Sequence, residues 1–206
     1  MTNCDVESGE ASARCSRGRP RDAEADARIL RAAIDLLGRD GYVRMSLDAV
    51  ASEAGVTRPT IYRRYRGKAE LAAAALASLA ADRDETAPKP MGDLRRDLLA
   101  LTAHFRAGVT RQFGLALVGT VLAEESETPE LLTMSREQVV APRRAMFREV
   151  LRAGQARGEI RKDADIDTAI AMLVGALYAH RLAEPELPKD WDQRVVDTVL
   201  RGVAVD

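Results

Sequence analysis

Residues 46–68, with the sequence SLDAVASEAGVTRPTIYRRYRGK, constrain the fold more than any other part of the chain. Apolar residues recur there at helical spacing until Gly55, where a residue with positive φ ends a helix at little cost. A second helix is expected at about residues 58–65, because Thr57 suits an N-cap and Pro59 is tolerated in a first turn. Two short helices around a glycine turn, the second rich in Arg and Tyr, are typical of a helix-turn-helix unit that enters a DNA groove.

The polar side chains of the second helix suit different groups on DNA, while Ile61 is expected to face the core. Arg58 is the best candidate for reading guanine, because its guanidinium matches the O6/N7 acceptor pair. Thr57, Tyr62 and Lys68 suit phosphate contacts through hydroxyl and ammonium donors. The complete set of predicted DNA-binding residues is Arg17, Arg19, Arg21, Ser46, Thr57, Arg58, Pro59, Thr60, Tyr62, Arg63 and Lys68.

The basic residues after and before this unit each have an alternative interpretation. Arg63, Arg64 and Arg66 could simply solvate an exposed helix, but that leaves the caps, the glycine turn and the tyrosines unexplained. Residues 1–20 lack hydrophobic periodicity and are predicted to form a disordered basic arm. The RGRP segment at residues 17–20 fits the minor groove, where narrow A·T tracts attract arginine. A basic tail without any DNA contact is the alternative for this segment.

Charge is divided unequally along the chain, although the formal net charge is only −1. Residues 11–68 carry 13 Lys/Arg and 7 Asp/Glu, whereas the rest of the chain carries 18 and 25. A basic segment joined to an acidic remainder fits one module that binds DNA and one that avoids it.

The composition also limits cofactors and location. Cys4 and Cys15 have no His or further Cys at metal-ligand spacing, so we predict no metal site and no cofactor. We find no run of about 18 apolar residues and no apolar signal segment, which predicts a soluble, cytoplasmic protein without a membrane partner.

The segment GYVRMSLDAVASEAGVTRPTIYRRYRGKAEL resembles the DNA-binding segment of the TetR (tetracycline-repressor-like) transcriptional regulators. The positions that carry the resemblance are a glycine-aromatic pair, a capping threonine, two tyrosines and a lysine, namely Gly41, Tyr42, Thr57, Tyr62, Tyr65 and Lys68. The resemblance implies phosphate contacts for Thr57, Tyr62 and Lys68, and base contacts for Arg58, Pro59 and Arg63. Pro59 stands where the family often has glycine or alanine, which changes the expected base preference but not the fold.

The rest of the chain is predicted to be helical, which gives an all-α fold of about nine helices. Helix one is expected at about residues 21–39, and a fourth, connecting helix from about Lys68 to Arg83. The sequence TAPKPMG then breaks the pattern. We therefore predict a basic arm at 1–20, a helix-turn-helix domain with its connector at 21–83, and a larger helical ligand-sensing and dimerisation domain at 84–206.

The last two helices are apolar around most of their circumference, so each must be covered on more than one side. Burial within a single domain would suffice, but a two-fold interface is favoured because one recognition helix makes few contacts with DNA. The resemblance implies dimerisation through the same helices, and a dimer would read a palindrome. The predicted interface residues are Ile170, Leu173, Val174, Leu177, Tyr178, Val195 and Val199.

A second domain on a DNA-binding protein is explained most simply by a small-molecule effector that enters a cavity between helices. The resemblance implies the same role. The candidate lining residues are His104, Phe105, Phe113, Leu117, Met134, Gln138 and Met146, with His104 or Gln138 as the polar group. The alternative for each is ordinary core packing.

Three functions are compatible with these features. The leading hypothesis is a dimeric regulator, a repressor by resemblance, that binds a palindromic operator in double-stranded DNA and is released by a small molecule. An architectural or recombinase-type DNA-binding protein without an effector is the second. An enzyme is disfavoured, because neither His104 nor His180 is preceded by the glutamate of a Glu-x-x-His metal motif, and no phosphate-binding glycine loop occurs.

Overall fold

The computed structural model describes residues 23–110 and 114–204, and these residues form nine helices. The first four make up the head: α1 Ala23–Arg44, α2 Leu47–Glu53, α3 Arg58–Tyr62 and α4 Lys68–Asp84. The others are α5 Leu94–Thr110, α6 Gly114–Ala123, α7 at residues 129–157, α8 Ile166–Ala183 and α9 Trp191–Val203. Within α7, a π-helical turn at Arg136–Val140 separates α-helical Pro129–Ser135 from α-helical Ala141–Arg157. The predicted all-α fold is confirmed.

Helix α1 is longer than the sequence predicted, because it continues past residue 39 to Arg44. Gly41 interrupts it with φ 76° and ψ 171°, a backbone conformation that glycine adopts without steric cost. The break directs Tyr42 into the core, where its side chain is buried. The predicted end of helix one near residue 39 therefore lies close to a real break at Gly41, but one further turn follows that break.

The π-helical turn in α7 ends at Val140, two residues before Pro142. Proline lacks the N–H that would bond to the carbonyl of Gln138, and its ring would collide with that carbonyl in a regular α-helix. The wider turn avoids the collision. The N–H of Ala141 donates to the carbonyl of Arg136, five residues earlier.

Two hydrophobic cores occur in the described residues, and their border does not follow the predicted domain boundary at residue 84. The first core contains α1–α4 together with Leu117 and Val121 of α6 and Leu131 and Leu132 of α7. The second contains α5, the later part of α7, α8 and α9. Helix α6 and the start of α7 therefore pack against the head, although they follow the boundary in sequence.

Helix α8 runs through the second core, where it contacts α5, α7 and α9. Ile170, Leu173 and Leu177 are fully buried there. Within residues 23–110 and 114–204, α8 is the one helix long and apolar enough to cross a membrane, with a mean hydropathy of 1.2. Five of the 18 residues of α8, or 28%, are buried within the protomer.

Asp97 of α5 holds the connection between the head and the second core. Its buried carboxylate accepts the backbone N–H groups of Met91 and Gly92, both at 2.9 Å. Hydrogen bonds to a charged acceptor are stronger than neutral ones, so the end of the connecting segment is fixed against α5.

Candidate nucleic-acid interface and ligand cavity

The turn between α2 and α3 has the geometry that the sequence predicted. The Ser46 hydroxyl accepts the N–H of Ala49 at 3.1 Å, which caps α2. Gly55 has φ 63°, a value that favours glycine, and the N–H of Val56 then donates to the carbonyl of Ala51 at 3.0 Å. These bonds close the turn and set the direction in which α3 leaves it.

Helix α3 is shorter than predicted, because it ends at Tyr62 rather than near residue 65. Thr57 occupies the N-cap position, but its side chain makes no capping bond; its hydroxyl instead lies 2.9 Å from that of Thr60. Ile61 is 0% exposed and anchors α3 in the head, as predicted.

The outer side of α3 is polar and open to solvent. The Arg58 side chain is 70% exposed and Tyr62 is 56% exposed. Pro59 and Arg63 are exposed beside them, and Thr60 is half-buried. The first turns of α3 thus present the predicted contact residues on one surface, and the N-terminal turns of a recognition helix are those that reach base edges.

Arg58 has a partner that sequence reasoning missed. Its Nε lies 3.1 Å from Oδ1 of Asp48 on α2. The two groups form an ion pair without a well-aligned hydrogen bond, since that oxygen has no hydrogen-bond partner by geometry. Exposed pairs of this kind contribute little to stability, but this one restrains the direction of the guanidinium at the surface of α3.

Arg64, in contrast, has a structural role in the head. Its Nε donates to the carboxylate of Asp26 on α1, and its Nη1 donates to the carbonyl of Thr60 at 3.2 Å. Arg28 of α1 similarly donates to the carbonyl of Ala54 at 3.2 Å. The alternative that Arg63, Arg64 and Arg66 only solvate an exposed helix is therefore wrong for Arg64, because Arg64 bonds α3 to α1.

Lys68 lies at the start of α4, close to the end of α1. Its ammonium donates to the carbonyl of Val43 at 3.0 Å and lies 4.2 Å from the centre of the Tyr42 ring. Partial burial lowers the pKa of Lys68, and the carboxylate of Glu124 opposes this effect. An ammonium has three N–H donors, so the contact with Val43 leaves others for a phosphate.

Tyr42 and Glu124 join the head to the helices that follow it. Burial raises the pKa of Tyr42, and a hydrogen bond with Thr128 lowers it. A carboxylate oxygen of Glu124 lies 3.4 Å from the same Thr128 hydroxyl. Lys68 and the end of α1 are therefore connected to the segment between α6 and α7.

The predicted arm residues Arg17, Arg19 and Arg21 lie outside the described residues, as do Cys4 and Cys15.

A cavity of about 570 Å³ lies between the head and the second core. Its walls are largely apolar and come from α4, α5, α6, α7 and α8, with Leu76, Val109, Val118, Val139 and Val174 among the lining side chains. Leu122, Val140 and Leu182 line it as well and are also exposed to solvent, so they mark its opening. We call this space the ligand cavity, because its size and lining are those of small-molecule sites.

Two of the predicted ligand-binding residues, Phe105 and Leu117, line the cavity. Met134 and Met146 do not; they pack against the first and second core respectively. Neither proposed polar group borders the cavity: His104 is half-buried elsewhere on α5 and Gln138 is exposed to solvent. Phe113 lies outside the described residues.

The polar groups that do line the cavity were not predicted. They are Ser135, Arg143, Arg144, Tyr178 and Arg181. Residues from α4 in the wall were also missed, because the alanine-rich α4 was interpreted only as a connector. The spacing of Leu76 and Leu79 on α4 was the available signal.

Comparison with known families agrees with both halves of this architecture. The family described as bacterial regulatory proteins, tetR family, matches residues 29–75. The family described as tetracyclin repressor-like, C-terminal domain, matches residues 88–199. The chain belongs to the TetR family. It is therefore a helix-turn-helix transcriptional regulator and not an enzyme, as the sequence predicted.

Individual relatives are similar to this TetR-family regulator along most of its length. The DNA-binding transcriptional repressor TetR of Mycobacteroides abscessus is 36% identical over 191 residues, which cover 90% of this chain and 94% of the relative. The solved structure of the TetR family transcription regulator SCO0332 is 32% identical, with a TM-score of 0.67 over 88% of this chain and 100% of that one. A transcriptional regulator from Saccharomonospora viridis, solved in complex with choline, shares the fold at 23% identity, with a TM-score of 0.66 over 89% and 100%.

Four of the seven predicted interface residues, Ile170, Leu173, Leu177 and Val199, are buried inside the protomer of this TetR-family regulator. They cannot form the outer surface against which a second copy packs, so this part of the prediction is wrong. Val174, Tyr178 and Val195 are half-buried, and the first two line the cavity. The sequence could not separate core from interface on helices that are apolar nearly all round.

Replacing Arg58 by alanine is expected to weaken binding to the preferred DNA site by about 1–3 kcal/mol and to relax the base preference, because it removes the guanidinium that we predict to contact guanine. The matched variant Asp48→Asn keeps Arg58 but removes its restraint and one negative charge near DNA. We expect it to bind random duplex more tightly while discriminating less. Fluorescence anisotropy on the preferred and a scrambled duplex measures both. Unchanged base preference in Arg58→Ala would assign base reading to another residue.

Proposed function

We propose that this regulator is a repressor that binds a palindromic operator as a homodimer and dissociates when a small molecule occupies the ligand cavity. One observation carries the ligand response: α4 belongs to the core of the head and also forms a wall of the cavity. Lys68, its first residue, contacts Val43 and Tyr42, while Leu76 and Leu79 border the cavity. A molecule in the cavity would therefore press on a helix that belongs to the head.

Helix α6 provides a second connection. Leu117 and Val121 pack in the core of the head and also border the cavity. The segment after α6 reaches Tyr42 through its hydrogen bond with Thr128. Displacement of α4 and α6 by a ligand would change the orientation of the head, and this change would move the recognition helices of a dimer out of register with DNA.

The DNA contacts that we propose come from the exposed surface of α3 and its surroundings. Arg58, Pro59 and Arg63 would face base edges. The remaining contacts, with phosphates or the minor groove, would come from Arg17, Arg19, Arg21, Ser46, Thr57, Thr60, Tyr62 and Lys68. The exposure of Arg58 and Tyr62 beside a fully buried Ile61 supports this orientation of α3.

The proposed dimer surface is the outer face of α8 and α9. Met172 is 58% exposed on α8, and Ala171 and Ala179 are exposed on the same side. A side chain at Gly175 would meet no atom of the protomer, so this face is open. Its alanine and glycine residues are small enough to let a second helix approach closely. A two-fold pair on this face would bury it in both copies and set two α3 helices against successive major grooves, about 34–36 Å apart.

The experiment that tests the repressor function is selection of genomic fragments by the full chain, followed by a gel-shift assay with small-molecule extracts. We expect recovered fragments to share a palindrome, to bind two protomers, and to be released by a component of the extract. An architectural or recombinase-type protein, the alternative function, would bind without release by any small molecule. We expect the protein in the cytoplasm, where such DNA is accessible.

Met172→Asp is expected to convert the dimer to a monomer, because two carboxylates would meet in an apolar interface. Ala153→Asp places the same charge at an exposed position of α7 and is the matched control. Light scattering gives the mass of each variant, and gel shift gives its operator affinity. A dimeric Met172→Asp variant with normal operator binding would show that the interface lies elsewhere.

A further inference from the structure

The ligand cavity has a charged region within its apolar wall. Its lining includes three arginines, and no Asp or Glu side chain of the described residues borders it. Arg144 is compensated, since it donates to the carbonyl of Asp167 at 3.1 Å and to its carboxylate at 3.4 Å. Neither Arg143 nor Arg181 forms an ion pair with any residue of 23–110 or 114–204.

Arg143 contacts one of two neighbouring aromatic rings, and Arg181 lies on the same helix as the other ring. The Arg143 guanidinium lies 5.5 Å from the centre of the Phe105 ring, and the Phe105 and Tyr178 rings meet edge to face at 6.0 Å. Arg181 follows Tyr178 by three residues on α8, so the two side chains share a face of that helix. The two uncompensated cations therefore line the same cavity, and Arg181 directly precedes Leu182, which marks the opening.

Two polar atoms in this wall are buried without a hydrogen-bond partner. One is Nε of Arg181, although Nη1 of the same guanidinium donates to the carbonyl of Pro185. The other is the hydroxyl of Ser135, a residue only 6% exposed. Buried polar atoms are usually bonded, and an exception on the wall of a cavity indicates a missing partner.

We infer that the cavity binds an amphiphilic anion, with a hydrocarbon body in the apolar part and a carboxylate near Arg143 and Arg181. This inference rests on the proposed function in that it takes the cavity as the effector site. A carboxylate accepts from guanidinium and hydroxyl donors alike, so it matches the unpartnered atoms. A cationic ligand would meet two uncompensated arginines. The face of Phe105 that could attract a cation already holds Arg143.

The test is isothermal titration calorimetry of the full-length protein, without DNA, with three probes of equal chain length. These are decanoate, decan-1-ol and decyltrimethylammonium. We expect decanoate to bind about tenfold or more tightly than the alcohol, as charge-assisted hydrogen bonds allow, and the cation to bind most weakly. Equal or tighter binding of the cation, or no binding of decanoate, would overturn the inference.

The variant Arg143→Gln/Arg181→Gln separates charge recognition from damage to the fold. We expect it to lose about 10- to 100-fold in affinity for decanoate while its affinity for decan-1-ol stays unchanged. Arg152→Gln removes a charge from an exposed position of α7 and should bind all three probes as the parent does. Normal decanoate binding by the double variant would contradict the inference.

Titration without DNA keeps this test independent of the repressor function. If decanoate binds as expected but never releases the operator, the ligand class stands and the proposed release mechanism is wrong. If another compound releases the operator and decanoate does not bind, the release mechanism stands and the ligand class is wrong.

Discussion

Ile61→Ala is expected to destabilise the protein by about 2–5 kcal/mol, because it removes a fully buried side chain from the core of the head and leaves a cavity. Ile61 is the one buried residue of α3. Its loss should therefore free α3 from the head, and operator binding should fall together with stability. Denaturant unfolding measures the first effect and fluorescence anisotropy the second.

Arg63→Ala is the control for this prediction, since Arg63 is exposed on the same segment. It should leave the free energy of unfolding within about 0.5 kcal/mol of the parent while weakening DNA binding. An Ile61→Ala variant with parental stability would mean that α3 is not held by this contact. Our proposal that the outer face of α3 contacts DNA would then lose the structural observation that supports it.

Leu131→Ala is also expected to lower the free energy of unfolding by about 2–5 kcal/mol. This effect on the head is expected although Leu131 lies far beyond the predicted domain boundary at residue 84. Leu131 is 0% exposed and belongs to the core of the head. Its removal should loosen the contact between α7 and α4, which forms part of the cavity wall. We expect a lower melting temperature and weaker coupling between ligand and operator binding, measured as operator affinity with and without ligand.

Leu122→Ala removes the same atoms at a position that is 57% exposed and is the matched control for stability alone, since Leu122 also lines the cavity. Its stability should change by less than about 0.5 kcal/mol. If both leucine variants unfold as the parent does, the shared core between head and α7 does not support the fold as we describe it.

The local features of the head could be predicted from sequence because each depends on residues close in the chain. The Ser46 cap, the positive φ of Gly55 and the burial of Ile61 follow from capping, turn and periodicity rules. The length of α3 could not be predicted, because helix ends depend on which backbone bonds the tertiary contacts allow.

Partners that are distant in sequence were not predictable. The Arg64–Asp26 pair and the contact of Lys68 with Tyr42 join residues of different helices. Their formation depends on how α1 packs against α3 and α4, and no periodicity reports that packing. Composition showed a basic surface but could not show which cations were already paired.

The cavity was the least predictable part of the site. His104 and Gln138 are the polar groups that the sequence suggests for the cavity, yet neither borders it. Arg143 and Arg181 were overlooked because arginine on a helix usually faces solvent. Their position depends on the geometry of α7 after Pro142 and on the end of α8.

The π-helical turn of α7 explains how one continuous helix contributes to two cores. In a regular α-helix, Leu132 and Val150 are separated by about five full turns and would lie on one face. The additional residue per turn at Arg136–Val140 offsets the two halves by about a quarter of a revolution. Leu132 therefore faces the head while Val150 faces the second core. The π-helical turn thus rotates the apolar face of α7 from one core to the other.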